Sequence, residues 1–151
     1  MIPEAIVDLQ RHPLQDTHYL QSCKAQLDRT GALVMEDFLT LSAVELLQTE
    51  AREVQPLAYF CSQNHNAYLL DSDPALPAKH IRNLEQVSDK GCVPHDQVPE
   101  SSPLRTLYEW PDFREFLEGV LGEPVFPYAD TLSSININYF ERGQQLGWHF
   151  D

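Results

Sequence analysis

Apolar positions in the first part of the chain recur at helical spacing. In "THYLQSCKAQLDRTG" Leu20, Cys23 and Leu27 fall on one face, and Gly31 supplies a C-terminal stop. "ALVMEDFL" is short and apolar at its start, which predicts a strand. Ser42 and Glu45 form an S-x-x-E capping box, with Leu41 and Leu46 placed as a hydrophobic staple, so a second helix is expected from Ser42. Val44, Leu47, Ala51 and Val54 continue its apolar face until Pro56 ends it. "LAYFCSQNHNAYLL" has β-favouring aromatics at both ends and polar "SQNHN" between them, which predicts a hairpin. From "DSDPALPAKH" to "VPHDQVPESSP" the prolines and acidic residues predict a long irregular segment of the kind that covers a site. Ser102 before Pro103, and then Pro111, each open a helix. The second of these carries the stripe Phe113, Phe116, Leu117, Val120 and Leu121, expected to pack on a sheet, and ends at Gly122.

Beyond Gly122 the period changes from 3.6 to 2. In "SSININYFERG" Ile135, Ile137 and Tyr139 share one face, and Asn136, Asn138 and Phe140 the other. Arg142 and Gly143 begin a turn, after which "LGWHFD" alternates Gly147, His149 and Asp151 against Leu146, Trp148 and Phe150. Two antiparallel strands are expected here, opening a sheet whose other strands are not in the sequence. The reading is thus one α+β domain over residues 1–151. Residues 1–124 form a mainly helical support with a hairpin and loops, and residues 125–151 form the first core strands.

Composition narrows the function classes. A chain of 151 residues with 42% hydrophobic and 22% charged residues has the size and balance of one globular domain. No apolar run is long enough to span a bilayer, and "MIPEAIVDLQRHPLQD" lacks the features of a secretory signal, so a cytoplasmic location is expected. Cys23, Cys61 and Cys92 are odd in number and widely spaced, as free thiols in a reducing compartment are. A net charge of -13 repels polyanions, and the only close basic cluster is Lys79, His80 and Arg82, so nucleic acid is not an expected partner.

The chemistry lies in "GWHFD". His149 and Asp151 are two apart on one strand, so both side chains project from the same face, as two ligands of one metal ion would. Imidazole plus carboxylate with open positions is the donor set of non-haem iron oxygenases. The dipeptide spacing alone occurs by chance in many chains. In context, "NYFERGQQLGWHFD", with helices before the strands, resembles the iron(II) and 2-oxoglutarate dependent dioxygenases. The likeness is most specific over Ile135 to Asp151 and looser over "GALVMEDFLTLSAVELL". "SPLRTLYEWPDFREFLEGVLGEP" with "LGWHFD" is most similar to a bacterial subgroup that acts on free amino acids or similar small molecules and includes halogenases.

The resemblance implies a double-stranded β-helix of jelly-roll or cupin type, with the N-terminal helices packed on its start. It implies Fe(II) and 2-oxoglutarate as cofactors, with O2 and a small molecule as substrates, and His149 and Asp151 as the first two iron ligands. Halogenases carry glycine at the carboxylate position; Asp151 therefore implies hydroxylation. Tyr139, ten residues before His149, matches a tyrosine that bonds 2-oxoglutarate in alkylation-repair members. Their asparagine position is occupied here by Ile137. Arg82 is the candidate for a substrate carboxylate, since a guanidinium gives it two parallel bonds. His65, His80 and His95 are poor substitutes for the distal histidine.

That histidine, and the basic partner of the far 2-oxoglutarate carboxylate, follow His-x-Asp by several strands in the family. The expectation is therefore the N-terminal portion of a longer enzyme, inactive by itself, with Ile135, Ile137 and Trp148 exposed along open edges. Two other readings stand beside it: a nucleic-acid demethylase of the alkylation-repair type, and a non-catalytic β-rich binding domain.

Overall fold

The structure, a computed structural model, describes residues 2–130 and 132–150. Among them are four α-helices, α1 (Thr17–Thr30), α2 (Leu41–Val54), α3 (Pro103–Glu109) and α4 (Pro111–Leu121). Three strands, β1 (Tyr59–Asn66), β2 (Glu85–Pro94) and β3 (Asn136–Tyr139), form one sheet in the order β1-β2-β3. The class is α+β. Contacts divide the chain into two compact units, Met1–Val54 with Pro94–Ile135, and Gln55–Val93 with Asn136–Asp151. The division falls at Val54, Val93 and Ile135, and not at residue 124, because β1 and β2 lie in the chain between α2 and α3. No helix among the described residues is long and apolar enough to cross a membrane.

The helical unit is built on caps that the sequence announces and one that it hides. Asp16 accepts from the Tyr19 N–H (2.7 Å) to start α1, and Gly31, at φ 71°, closes it with an N–H bond to Leu27 O. Ser102 caps α3 by accepting from the Leu104 N–H (3.1 Å), and its own hydroxyl donates to Glu50 Oε1 (2.6 Å). The cap of α2 is Thr40, not Ser42: Thr40 Oγ1 accepts from the Ala43 N–H (3.3 Å). Thr40 wins because the N-terminal segment fixes it, its hydroxyl donating to Ala5 O (2.8 Å) and its N–H to Ile6 O (2.8 Å). The Leu41–Leu46 staple is absent, with both side chains exposed. The strand expected in "ALVMEDFL" is reduced to a single bridge, Val7 to Leu39, because a turn at Asp37 (φ 53°) interrupts it.

The core of this unit gathers Ile6, Val7, Leu14, Cys23, Ala43, Trp110, Phe116 and Val120. The apolar stripe of α4 packs against helix α1, not on a sheet as its width suggests. Tyr19 stacks on Phe116 at 5.9 Å, and Gly119 allows close approach: a Cβ there would lie 2.5 Å from Leu20 Cδ1. Buried His12 pins the core to the following loop. Its Nε2–H donates to Glu36 O (2.8 Å), so its Nδ1 accepts the Tyr19 hydroxyl (2.6 Å). Burial first, and the neighbouring Cys23 thiol second, push the Tyr19 hydroxyl well above the ordinary tyrosine range.

The sheet unit corrects the hairpin reading. β1 is one unbroken strand that includes "SQNHN", and it pairs antiparallel with β2 from Tyr59↔Cys92 to Asn66↔Glu85. β2 lies inside the segment read as irregular. Both strands carry polar residues on both faces, so neither shows an apolar alternation. Between them the loop 67–84 is organised by two buried asparagines in place of a ladder. Asn66 Nδ2 donates to Leu70 O (2.6 Å) and its Oδ1 accepts from the Tyr68 N–H (3.0 Å). Asn83 Oδ1 accepts from the Asp73 N–H (2.7 Å) and its Nδ2 donates to Asp73 O (2.9 Å). Gly91 faces Phe60 across the ladder, and the ring covers it, 2.7 Å from where a Cβ would stand.

Two outcomes follow for stability. Tyr19 is held protonated, so its contribution is complete below about pH 10 and is lost as pH rises through its own higher ionisation. In an alkaline titration one of the six tyrosines should ionise last, together with helix loss, and Tyr19→Phe should remove that late step. Asn83→Ala strips the loop of its bonds to Asp73 and should cost about 1–3 kcal/mol in denaturant unfolding. Amide exchange in the loop should accelerate in that variant.

Candidate metal centre

The seat of His149 starts from strand alternation. On one face of the sheet stand Cys61, Gln63 and His65 of β1, with Gln86, Ser88, Lys90 and Cys92 of β2. β3 joins on that face through Asn138 Oδ1, which accepts from Lys90 Nζ (2.9 Å), and Asn136 Oδ1, which accepts from Cys92 Sγ (3.3 Å). The contacts run in opposite order along the two strands, as antiparallel neighbours do. Ile137 and Tyr139 fall on the other face of β3.

After β3 the chain turns at 141–143, with Gly143 at φ 93° and the Gln144 N–H donating to Glu141 O (3.0 Å). It then returns beside β2, where a second strand was expected. No strand forms over 144–150, because side chains take the place of the ladder. The Asp89 N–H donates to Gln145 O (2.7 Å), and the Gly147 N–H to Ser88 Oγ (3.0 Å). The amide of Gln86 grips Trp148 at both backbone groups, Oε1 accepting its N–H (3.0 Å) and Nε2 donating to its O (2.7 Å). The Phe150 N–H donates to Ala67 O (2.8 Å).

The expected alternation survives without the strand. Gly147 is buried and His149 half-buried, while Leu146, Trp148 and Phe150 are exposed, Trp148 to 86%. Of the three residues expected on open edges, Trp148 is exposed, whereas Ile135 is buried and Ile137 half-buried.

His149 is prepared as a ligand. Its Nδ1 lies 2.8 Å from Gly147 O, an acceptor only, so Nδ1 carries the hydrogen and Nε2 the lone pair. The ring of His65 meets it edge to face at 5.7 Å. His65 itself is not set as a ligand, because both its nitrogens are engaged. Nδ1 donates to Asn66 O (3.0 Å), and Nε2 accepts the Ser88 hydroxyl (2.5 Å). His80 Nδ1 accepts from the Arg82 N–H (3.2 Å), and His95, in the helical unit, bonds Ser134 through Nδ1. Asp151 lies outside the described residues. Among the described residues no three metal-ligating side chains converge.

Arg82 reaches the same neighbourhood through aromatic contacts. Its guanidinium lies 4.7 Å above the ring of Tyr68, and Tyr68 packs on Phe150 at 5.5 Å, one residue from His149. Arg82 Nη1 is buried with no hydrogen-bond partner. Tyr139, on the face of β3 opposite Asn138, is not brought to His149 by the strand's alternation. The residues that sequence reasoning gave no role are His65, Gln86, Ser88 and Gly147. Gln86 and Ser88 carry no signal of their own, since the strand that aims them reads as loop.

No protein-family model, curated protein or solved structure matches the chain.

Gly147 permits this packing. A Cβ there would meet Gln86 Cβ at 3.1 Å and His65 Cε1 and Nε2 at 3.2 Å. Gly147→Val should drive the His65 ring off Ser88, read as displaced His65 ring resonances with the helical unit's signals unchanged.

Proposed function

We propose that the chain carries the iron-binding strand of an Fe(II) and 2-oxoglutarate dependent oxygenase that hydroxylates a small, amino-acid-like substrate. The observation that carries the reading is the state of His149. It is half-buried, two residues before Asp151, with Nδ1–H committed to Gly147 O and the lone pair on Nε2. A surface histidine beside a chance aspartate has no reason to be held in that form. In this reading the sheet opens a double-stranded β-helix, and His149 and Asp151 hold the metal. Bound iron and 2-oxoglutarate would supply the oxidising power for C–H hydroxylation; the protein's part is to seat ligand and substrate.

Arg82 supports the substrate class. A guanidinium with a buried, unpartnered Nη1 is a donor in want of an acceptor, and a carboxylate satisfies it with two bonds. On the cofactor side, the alternation of β3 favours Asn138, on the face of Ser88 and Lys90, over Tyr139 as the polar contact. The reading also needs a third iron ligand, which His65 does not supply.

The test is an anaerobic titration with Fe(II), and with Co(II) as a spectroscopic substitute, made on chain 1–151 and on the polypeptide of the whole reading frame. Chain 1–151 should bind the metal weakly and consume no 2-oxoglutarate, and His149→Ala should abolish the binding. The whole reading frame should turn over 2-oxoglutarate when offered free amino acids. If it neither binds iron nor consumes 2-oxoglutarate, the oxygenase reading fails. Arg82→Leu should raise KM for a carboxylated substrate by about 10- to 100-fold, the loss of a bidentate charged pair.

A further inference from the structure

The hydrogen bonds around His149 form one directed chain in which every donor and acceptor is assigned. Asn66 O can only accept, so His65 carries its hydrogen on Nδ1 (3.0 Å). His65 Nε2 then accepts, which obliges the Ser88 hydroxyl to donate to it (2.5 Å). The remaining capacity of Ser88 Oγ accepts the Gly147 N–H (3.0 Å). The carbonyl of the same glycine accepts from His149 Nδ1–H (2.8 Å). Each link fixes the next, and such chains reinforce themselves.

We propose that Ser88 and His65 are positioning residues that act through Gly147 to hold His149 in the tautomer whose Nε2 can ligate a metal. The inference rests on the reading of His149 as a ligand and adds the residues that prepare it. A free histidine side chain favours the hydrogen on Nε2, the wrong nitrogen for a ligand that binds there. Holding the other form requires a fixed acceptor at Nδ1. Gly147 O is that acceptor, and its place is set by the Ser88 bond on one side and by close packing against Gln86 and His65 on the other. Without Ser88 the Gly147 N–H turns to water, and the carbonyl loses its registration with the imidazole. His65 keeps the Ser88 hydroxyl pointed away from Gly147, so that Oγ faces the peptide as an acceptor.

The test reads the tautomers directly, by long-range proton–nitrogen NMR of the histidine rings in 15N-labelled chain 1–151, at about pH 8 where histidines are neutral. In the unaltered chain both His65 and His149 should show the hydrogen on Nδ1. Ser88→Ala should convert His149 to a mixture weighted toward Nε2–H and raise the Co(II) dissociation constant about tenfold, within the range for loss of an outer partner of a ligand. Ser88→Thr, which keeps the hydroxyl, should restore both readouts. If Ser88→Ala does not fold, His65→Gln gives the same reading, since its Oε1 can still accept the Ser88 hydroxyl and should keep His149 on Nδ1, whereas His65→Leu should not.

The proposal is overturned if His149 is already mixed in the unaltered chain, or if its tautomer does not respond to removal of the Ser88 hydroxyl or of the His65 acceptor. A chain with His149 pinned as described but without affinity for Co(II) would instead sink the metal reading and leave the hydrogen-bond chain intact.

Discussion

The hydrogen bond from the Gly147 N–H to Ser88 Oγ joins parts of the sheet unit that are 59 residues apart in sequence, and the arrangement around His149 depends on it. A backbone ladder would hold the returning segment almost regardless of its side chains, because every residue offers the same donor and acceptor. Here the work falls to Gln86 and Ser88, so the register of 144–150 is written in particular residues. A slip by one would take the Trp148 N–H off the Gln86 amide and place a residue with a Cβ against His65. The inward direction of His149 is therefore specified more tightly than an irregular segment implies.

The helical unit uses the same device for a structural end. His12 is buried with both nitrogens bonded, one to the backbone of Glu36 and one to Tyr19, and it ties the loop after α1 to the helix itself. The two histidine networks differ in one respect. His12 sits among core residues and has no ring nitrogen left for a ligand, as is also true of His65, whereas the tautomer of His149 directs its lone pair away from Gly147. Side-chain anchoring of this kind also fixes the loop 67–84, where Asn66 and Asn83 supply what a ladder would have supplied.

What the sequence made legible tracks the range of the interactions involved. Asp16 and Ser102 as neighbours of their helices, Gly31 and Gly122 as stops, and the stripe on α4 are local, and the structure reproduces them. The cap of α2 was misplaced because Thr40 is chosen by Ala5 and Ile6, more than thirty residues away. β1 and β2 were hidden because polar residues on both faces erase the period of 2, and "SQNHN" has the composition of a turn. The alternation Gly147, His149 against Leu146, Trp148, Phe150 was read correctly although no strand forms there, since burial follows side-chain direction and not the ladder. His65, Gln86 and Ser88 could not have been assigned, because their roles appear only when β2 pairs with β1.

The discontinuity of the two units sets an order of events in folding. Each is made from two separated stretches of sequence, with β1 and β2 inserted between the halves of the helical unit. During synthesis the β1–β2 hairpin can form as soon as Pro94 is available, and it then waits with one side of β2 uncovered until β3 and the segment after it arrive. The polar face that later receives His149 keeps that waiting hairpin hydrated and unattractive to other chains. The residues that suit a small-molecule site thus also make the intermediate tolerable, and an apolar replacement of Gln86, Ser88 or Lys90 would be felt first as loss of soluble nascent protein.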